Sequence, residues 1–337
     1  MEPPKTDQPN PGGGRLLGAR PLGLGGLRGK SPLGPGKAIG ATTGVGKVAM
    51  GRPAVVSLNW GEQDIENRSR LFQGGRFTSV NKAFSFCLGL LLATVFFGIM
   101  LLLYNSGNLI LHDLGQVFVR PNNLFATVPA TLFFFWGSTI VALKVPKLRL
   151  QRLALDLAAV PQHHEFILNE ATAKTVLERM SSLVDDTRHF ILLNRIDRAL
   201  SNLQNIGGVS DVSSILKAQA ENDENHIASS YALINAMIWA IPVLGFVGTV
   251  LGLKLAMGKF DLNAASTAAI QQSLGPVVAG LSTAFETTLV GLVFALILHL
   301  LSDLIQQKET DFLDECNDYC HAHVISRLRV RAKDESL

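Results

Sequence analysis

The chain is predicted to be an all-α, polytopic membrane protein with four transmembrane helices and long helical extensions on the cytoplasmic side. Four apolar runs, at about 83–104, 123–144, 230–257 and 275–302, reach the roughly 20 residues a helix needs to cross the hydrocarbon core. Hydrophobic residues make up 47% of the 337 positions and charged residues only 17%, with a mean hydropathy of +0.27, too apolar and too unevenly patterned for one soluble domain. Lys and Arg are dense before the first run (Arg68, Arg70, Arg76, Lys82), after the second (Lys144, Lys147, Arg149, Arg152) and after the fourth (Lys308, Arg327, Arg329, Arg331, Lys333), whereas the loops 105–122 and 258–274 offer Arg120 and Lys259. The positive-inside rule then puts the amino terminus, the 145–229 segment and the carboxyl terminus in the cytoplasm. The net charge of +3 follows from this bias and is no sign of nucleic-acid binding.

Taken in order, residues 1–57 are rich in Gly and Pro and cannot bury enough surface to offset their ordering entropy, so a disordered cytoplasmic tail is expected. Its Gly40–Val48 stretch imitates a phosphate-binding loop, but the first Gly is out of register and Val48 stands where Ser or Thr should hold Mg²⁺. With no apolar run in the first eighty residues, the amino terminus is expected to be retained and the first span to serve as its own insertion signal. Residues 58–82 are a juxtamembrane lead-in whose Trp60 and Arg residues suit an interfacial anchor or an irregular approach.

A first transmembrane hairpin (83–144) leads to a cytoplasmic helical region (145–229). There Phe166, Ile167, Ala171 and Val176-Leu177 mark one helical stripe, and Phe190, Leu193, Ile196, Ala199-Leu200 and Leu203 a cleaner one. Gly207-Gly208 should end the second of these helices and Ser210 should cap the next. From Asp211 the pattern runs into the third span without a breaker before Pro242, which predicts one helix that begins in the cytoplasm and enters the membrane. A second, channel-type hairpin (230–302) continues into a cytoplasmic C-terminal helix (303–337), where Leu304-Ile305, Phe312, Cys316, Tyr319-Cys320 and Val324 prolong the stripe.

Span three carries Gly245, Gly248 and Gly252, small residues that allow close helix approach, together with Pro242, which removes a backbone donor and frees a carbonyl. These four are candidate helix-packing positions, and Gly248 and Gly252 are expected to join neighbouring subunits. Thr249 in span three and Thr288 in span four place hydroxyls inside apolar runs, and such groups need partners there. Glu286 costs at least roughly 2–3 kcal/mol to expose to hydrocarbon, so it is expected to face a pore or a subunit boundary, with Ser282, Thr283, Thr287 and Thr288 around it. Thr249, Thr288 and Glu286 are the candidate ion pathway. Lys254 lies near the outer end of span three and can snorkel.

Cys316, Cys320 and His323 share a helical face but lack a fourth ligand, and His163-His164 and His299 read as a helix entrance and an interface residue, so no metal site is expected. With no nucleophile elbow, zinc-protease motif or sound nucleotide loop, no cofactor is expected and the chain is read as not an enzyme.

Ile241-Pro242-Val243-Leu244-Gly245-Phe246-Val247-Gly248-Thr249-Val250-Leu251-Gly252, with Gly280-Leu281-Ser282-Thr283-Ala284-Phe285-Glu286-Thr287-Thr288-Leu289-Val290-Gly291-Leu292, resembles the MotA/TolQ/ExbB proton-channel family over roughly 210–330, with wording nearest the ExbB/TolQ side. The resemblance implies a homo-pentamer around two helices of a single-span ExbD/TolR/MotB-like partner whose membrane Asp carries the proton. It also implies an inner-membrane motor subunit and pore-lining hydroxyls at Thr249 and Thr288. Two features depart from the pattern: ExbB and TolQ have three spans, as against four here, and the family Glu five residues before the second pore Thr is replaced by Thr283, with a carboxyl at Glu286 instead. A MotA-like stator using Na⁺, a non-conducting scaffold and a solute transporter are the alternatives. The transporter is disfavoured because the two halves of the chain do not look alike.

Overall fold

Hydrophobic side chains cluster in runs of membrane length, and helix is the open-ended structure that satisfies every backbone group in such a run internally. A computed structural model describes residues 58–329, apart from 65, 67–74, 76, 158, 162–165, 202, 204–208 and 259–266. The tail 1–57 with its Gly40–Val48 stretch, His163-His164 and Gly207-Gly208 lie outside the described residues. The described part belongs to one unit, Pro53–Leu337, and is helical with no strand, only isolated bridges joining Leu58 to Val184 and Leu168 to Leu328.

The elements are α1 (Trp60–Gln63), α2 (Lys82–Tyr104), α3 (Leu109–Val119), α4 (Pro121–Asp156), α5 (Glu170–Leu183), a 3₁₀ turn (Thr187–His189), α6 (Ile191–Ser201), α7 (Val209–Ser230), α8 (Ala232–Gly258), α9 (Thr267–Cys320) and a π turn (His321–Ile325). Four helical stretches are long and apolar enough to cross a membrane: α2, α4, α7 with α8, and the part of α9 from Leu274 onward with its π turn. Asn81 caps α2 by accepting from the amides of Ala83 and Phe84. Pro121 sits in the first turn of α4, where its missing N–H costs nothing. The core of the membrane part is the α8–α9 hairpin, with α4 against both helices and α2 outside α4. Stacked rings of Phe134 and Phe294, with centroids 4.4 Å apart, join α4 to α9, and Phe96 and Phe118 extend the cluster to α2 and α3.

At the polar end, α6 is the hub. Ile191, Leu192, Leu193, Ile196 and Ala199 are all buried, surrounded by α4, α5, α7 and α9. The Gln151 amide of α4 seats its start, donating to the His189 carbonyl at 2.7 Å and accepting from the Ile191 amide at 2.9 Å. A reciprocal capping box between Asn169 and Thr172 fixes the start of α5. Asn169→Ala should cost about 1 kcal/mol in a denaturant titration, and an unchanged midpoint would count against the cap.

Several expectations need correction. The 105–122 loop contains α3, whose Leu109 and Ile110 are exposed while Gly115 and Phe118 pack inward, an amphipathic turn too short for a span. The continuous helix expected through 211–258 is present as one stretch from Val209 to Gly258, tightened by a single turn at Tyr231, whose amide bonds Ala228. The helix α7 starts at Val209, so Ser210 is inside its first turn rather than at its cap, and Phe166 and Ile167 precede α5. Trp60 is not at an interface: it is 1% exposed, stacked on His189 at 5.6 Å and edge-on to Phe190.

Lys144 and Lys147, read from sequence as topological charge, are buried in ion pairs. Lys144 Nζ donates to both Glu309 oxygens at 3.1 Å and to Ser230 Oγ at 2.9 Å, and lies 4.2 Å above the Tyr231 ring. Lys147 Nζ meets Glu66 at 2.7 Å, Asp64 at 3.7 Å and the Ser79 carbonyl at 2.8 Å, tying the lead-in to α4. Burial holds the Asp64 carboxyl above the usual carboxylate range despite Lys147 beside it.

Candidate ion-path site

The α8–α9 seam is built from residues without bulk. Gly245 faces the backbone of Thr287, Thr288 and Gly291; Gly248 faces the Thr287 side chain; and a Cβ placed on Gly252 would lie 2.7 Å from the Gly280 carbonyl oxygen and 2.8 Å from the Ala284 amide. Gly248 and Gly252 are therefore covered by α9 of the same chain, not left for a neighbouring subunit, which corrects the intermolecular role expected of them. Pro242 lies inside α8, which continues through it to Gly258.

Two hydroxyls, of Thr287 and Thr288, bond across this seam. Thr288 Oγ1 donates across it to the Gly245 carbonyl at 3.3 Å, with the Ala284 carbonyl of its own helix at 3.2 Å. Thr287 is buried and bonds Thr283 and Ala284 carbonyls at 3.0 and 3.1 Å, with Gly245 at 3.5 Å. Thr249, one turn along α8 from Gly245 and half-buried, donates to its own turn at Phe246 O, 2.5 Å away. Thr249 and Thr288 share no direct bond. Their acceptors, the carbonyls of Phe246 and Gly245, belong to consecutive residues of α8.

Residues 188–317 match the MotA/TolQ/ExbB proton channel family. The matched stretch runs from the 3₁₀ turn through α6, α7 and α8 to the far part of α9, so it contains the whole Gly-Thr seam. No curated protein and no solved structure matches the chain. The family match together with four membrane-length helices supports an ion-channel-type, multi-pass membrane subunit.

Glu286 lies within the matched segment but apart from the seam. Residues two apart on a helix point about 200° away from each other, so Glu286 turns from Thr288 toward the corner between α3 and α4. Its Oε1 accepts from Ser282 Oγ at 2.7 Å and Arg120 Nη1 at 3.2 Å, and its Oε2 from Asn123 Nδ2 at 2.7 Å and Arg120 Nη1 at 3.2 Å. The sequence grouped Glu286 with all four neighbouring hydroxyls, and Ser282 alone of these bonds it. Thr283 is buried. Arg120 and Asn123 were missed. The one signal for them was an isolated Arg immediately before Pro121, followed by no charged residue until Lys144.

The remaining candidates sit elsewhere. Lys254 is exposed near the end of α8, and His299 pairs with Asp303 at 3.4 Å on an exposed face. Cys316 and Cys320 are packed in the polar-end core, where burial raises the Cys316 thiol and pushes Cys320 up to about 11. Among the described residues no group of three His, Cys, Asp or Glu side chains could hold a metal ion.

Proposed function

We propose that the chain is the ion-channel subunit of an inner-membrane motor that converts proton-motive force into mechanical work through a single-span partner. The observation that carries this is the Gly245–Thr288 bond across a glycine-lined hairpin inside the family-matched segment, with Thr249 one turn away. On this reading the termini and the polar helices are cytoplasmic, in keeping with the Lys and Arg bias of the loops. Five copies surround the partner's helices, and the partner brings the membrane Asp that this chain lacks. The exposed stripe Trp239, Val243, Phe246, Val250, Leu253 and Met257 recurs every three or four residues along α8 and supports packing by helices from other chains.

Removing a hydroxyl from a low-dielectric path costs on the order of 1–3 kcal/mol when it leaves a polar group unpaired. Thr249→Val with Thr288→Val should therefore slow proton flux at least about tenfold in proteoliposomes containing the partner, with the protein still folded. Undiminished flux in the double variant would remove both residues from the mechanism.

A further inference from the structure

The cluster around Glu286 is hydrogen-bonded throughout, with the Arg120 and Glu286 side chains 23% and 21% exposed. Pro121 disfavours helical backbone at the residue before it, so Arg120 is extended, at φ −57° and ψ 129°, and its side chain leaves α4 toward α9. Asn123 is fully buried, and its amide donates both to Glu286 and to the Val117 carbonyl at 2.8 Å, closing the α3–α4 corner. Each carboxylate oxygen of Glu286 already accepts two hydrogen bonds, so the group offers no open acceptor site to an incoming proton carrier.

The same two helices are joined at their other end by Lys144 and Glu309. The two cations stand 24 positions apart, from the residue that precedes α4 to Lys144 within it (144 − 120), and the two acids stand 23 apart on α9 (309 − 286). Either spacing is about 35 Å of helix, close to the thickness of a hydrocarbon core. No charged side chain lies between the cations on α4. Matched spacing on two helices that run side by side fixes both their register and their rotation.

We propose that Arg120 and Glu286 form the remote of two ion-pair ties that hold α4 in register against α9, making Glu286 a positioning residue for the Thr288–Gly245 seam rather than a group that carries the ion. The readout rests on the channel reading above, so two measurements are needed. Maximal proton flux and half-saturating proton concentration are measured in proteoliposomes with the partner for wild type, Arg120→Gln, Glu286→Gln and the double variant, alongside unfolding midpoints in detergent.

A tie predicts that each single change lowers maximal flux by a similar factor, about tenfold, because each leaves one charge unpaired. The double variant, with two amides able to bond each other, should recover to within about threefold of wild type, and the half-saturating proton concentration should not move in any of them. A single variant that fails to accumulate while the double does is the same result in stronger form. Flux abolished by Glu286→Gln and still absent in the double, while Arg120→Gln conducts, would overturn the proposal and make Glu286 part of the ion path. Equal flux in all four proteins would overturn it too. If wild type passes no protons, the channel reading fails, and the tie is then decided by the midpoints: non-additive losses support it and additive losses refute it.

Discussion

Gly252→Leu should lower the unfolding midpoint of the purified protein by the equivalent of on the order of 3 kcal/mol and loosen the α8–α9 hairpin. The reason is that the first carbon added at Gly252 would meet backbone, the Gly280 carbonyl and the Ala284 amide, and no side-chain rotation clears it. At Gly248 an added carbon would lie 2.6 Å from Thr287 Cβ, which rotation about χ1 does not move, and 3.0 Å from Ala126 Cβ, so Gly248→Leu should be damaging as well. Gly258, with nothing within 4 Å of a built Cβ, is the control, and Gly258→Leu should be nearly neutral. Equal midpoints for the Gly252 and Gly258 variants would contradict the packing described for the hairpin.

Lys144→Met should be at least as damaging, at about 3–5 kcal/mol, because it strands the fully buried Glu309 carboxylate without its cation. Lys144→Met with Glu309→Met should recover most of that loss, since an apolar pair of similar volume removes the desolvation penalty on both sides. Lys144 also spans the turn between α7 and α8, through Ser230 and the face of Tyr231, so the single variant should free the polar helices from the spans as well as weaken the fold. Strictly additive losses in the unfolding midpoints would show that the two side chains do not act as a pair.

The spans and the extended reach of α9 were legible because hydropathy and helical periodicity are local properties, summed over residues that neighbour one another in sequence. The Gly-Thr seam was legible for a related reason, since small residues at helical spacing announce close approach whatever covers them. What covers them was not legible. Gly248 and Gly252 have the same pattern whether the partner is α9 of the same chain or another copy, and nothing in the sequence between Gly245 and Thr287, 42 positions apart, signals their meeting.

The ion pairs were hidden for the same reason. Arg120 and Glu286 are 166 positions apart, and Lys144 and Glu309 are 165 apart, so each charge viewed alone reads as a loop cation or an isolated acid. Trp60 illustrates the reverse error: an aromatic beside charges just before a span fits an interfacial anchor by composition, yet its ring stacks on His189 from far along the chain. Composition reports what a residue tolerates, and only the packing reports which tolerated place it takes.

Proton flux through the wild-type protein, reconstituted with and without the proposed single-span partner under an imposed pH gradient, tests the central claim most directly. The account predicts little flux from the chain alone, because it has no membrane Asp of its own, and flux well above empty vesicles once the partner is present. Equal flux with and without the partner, or none in either case, would contradict it.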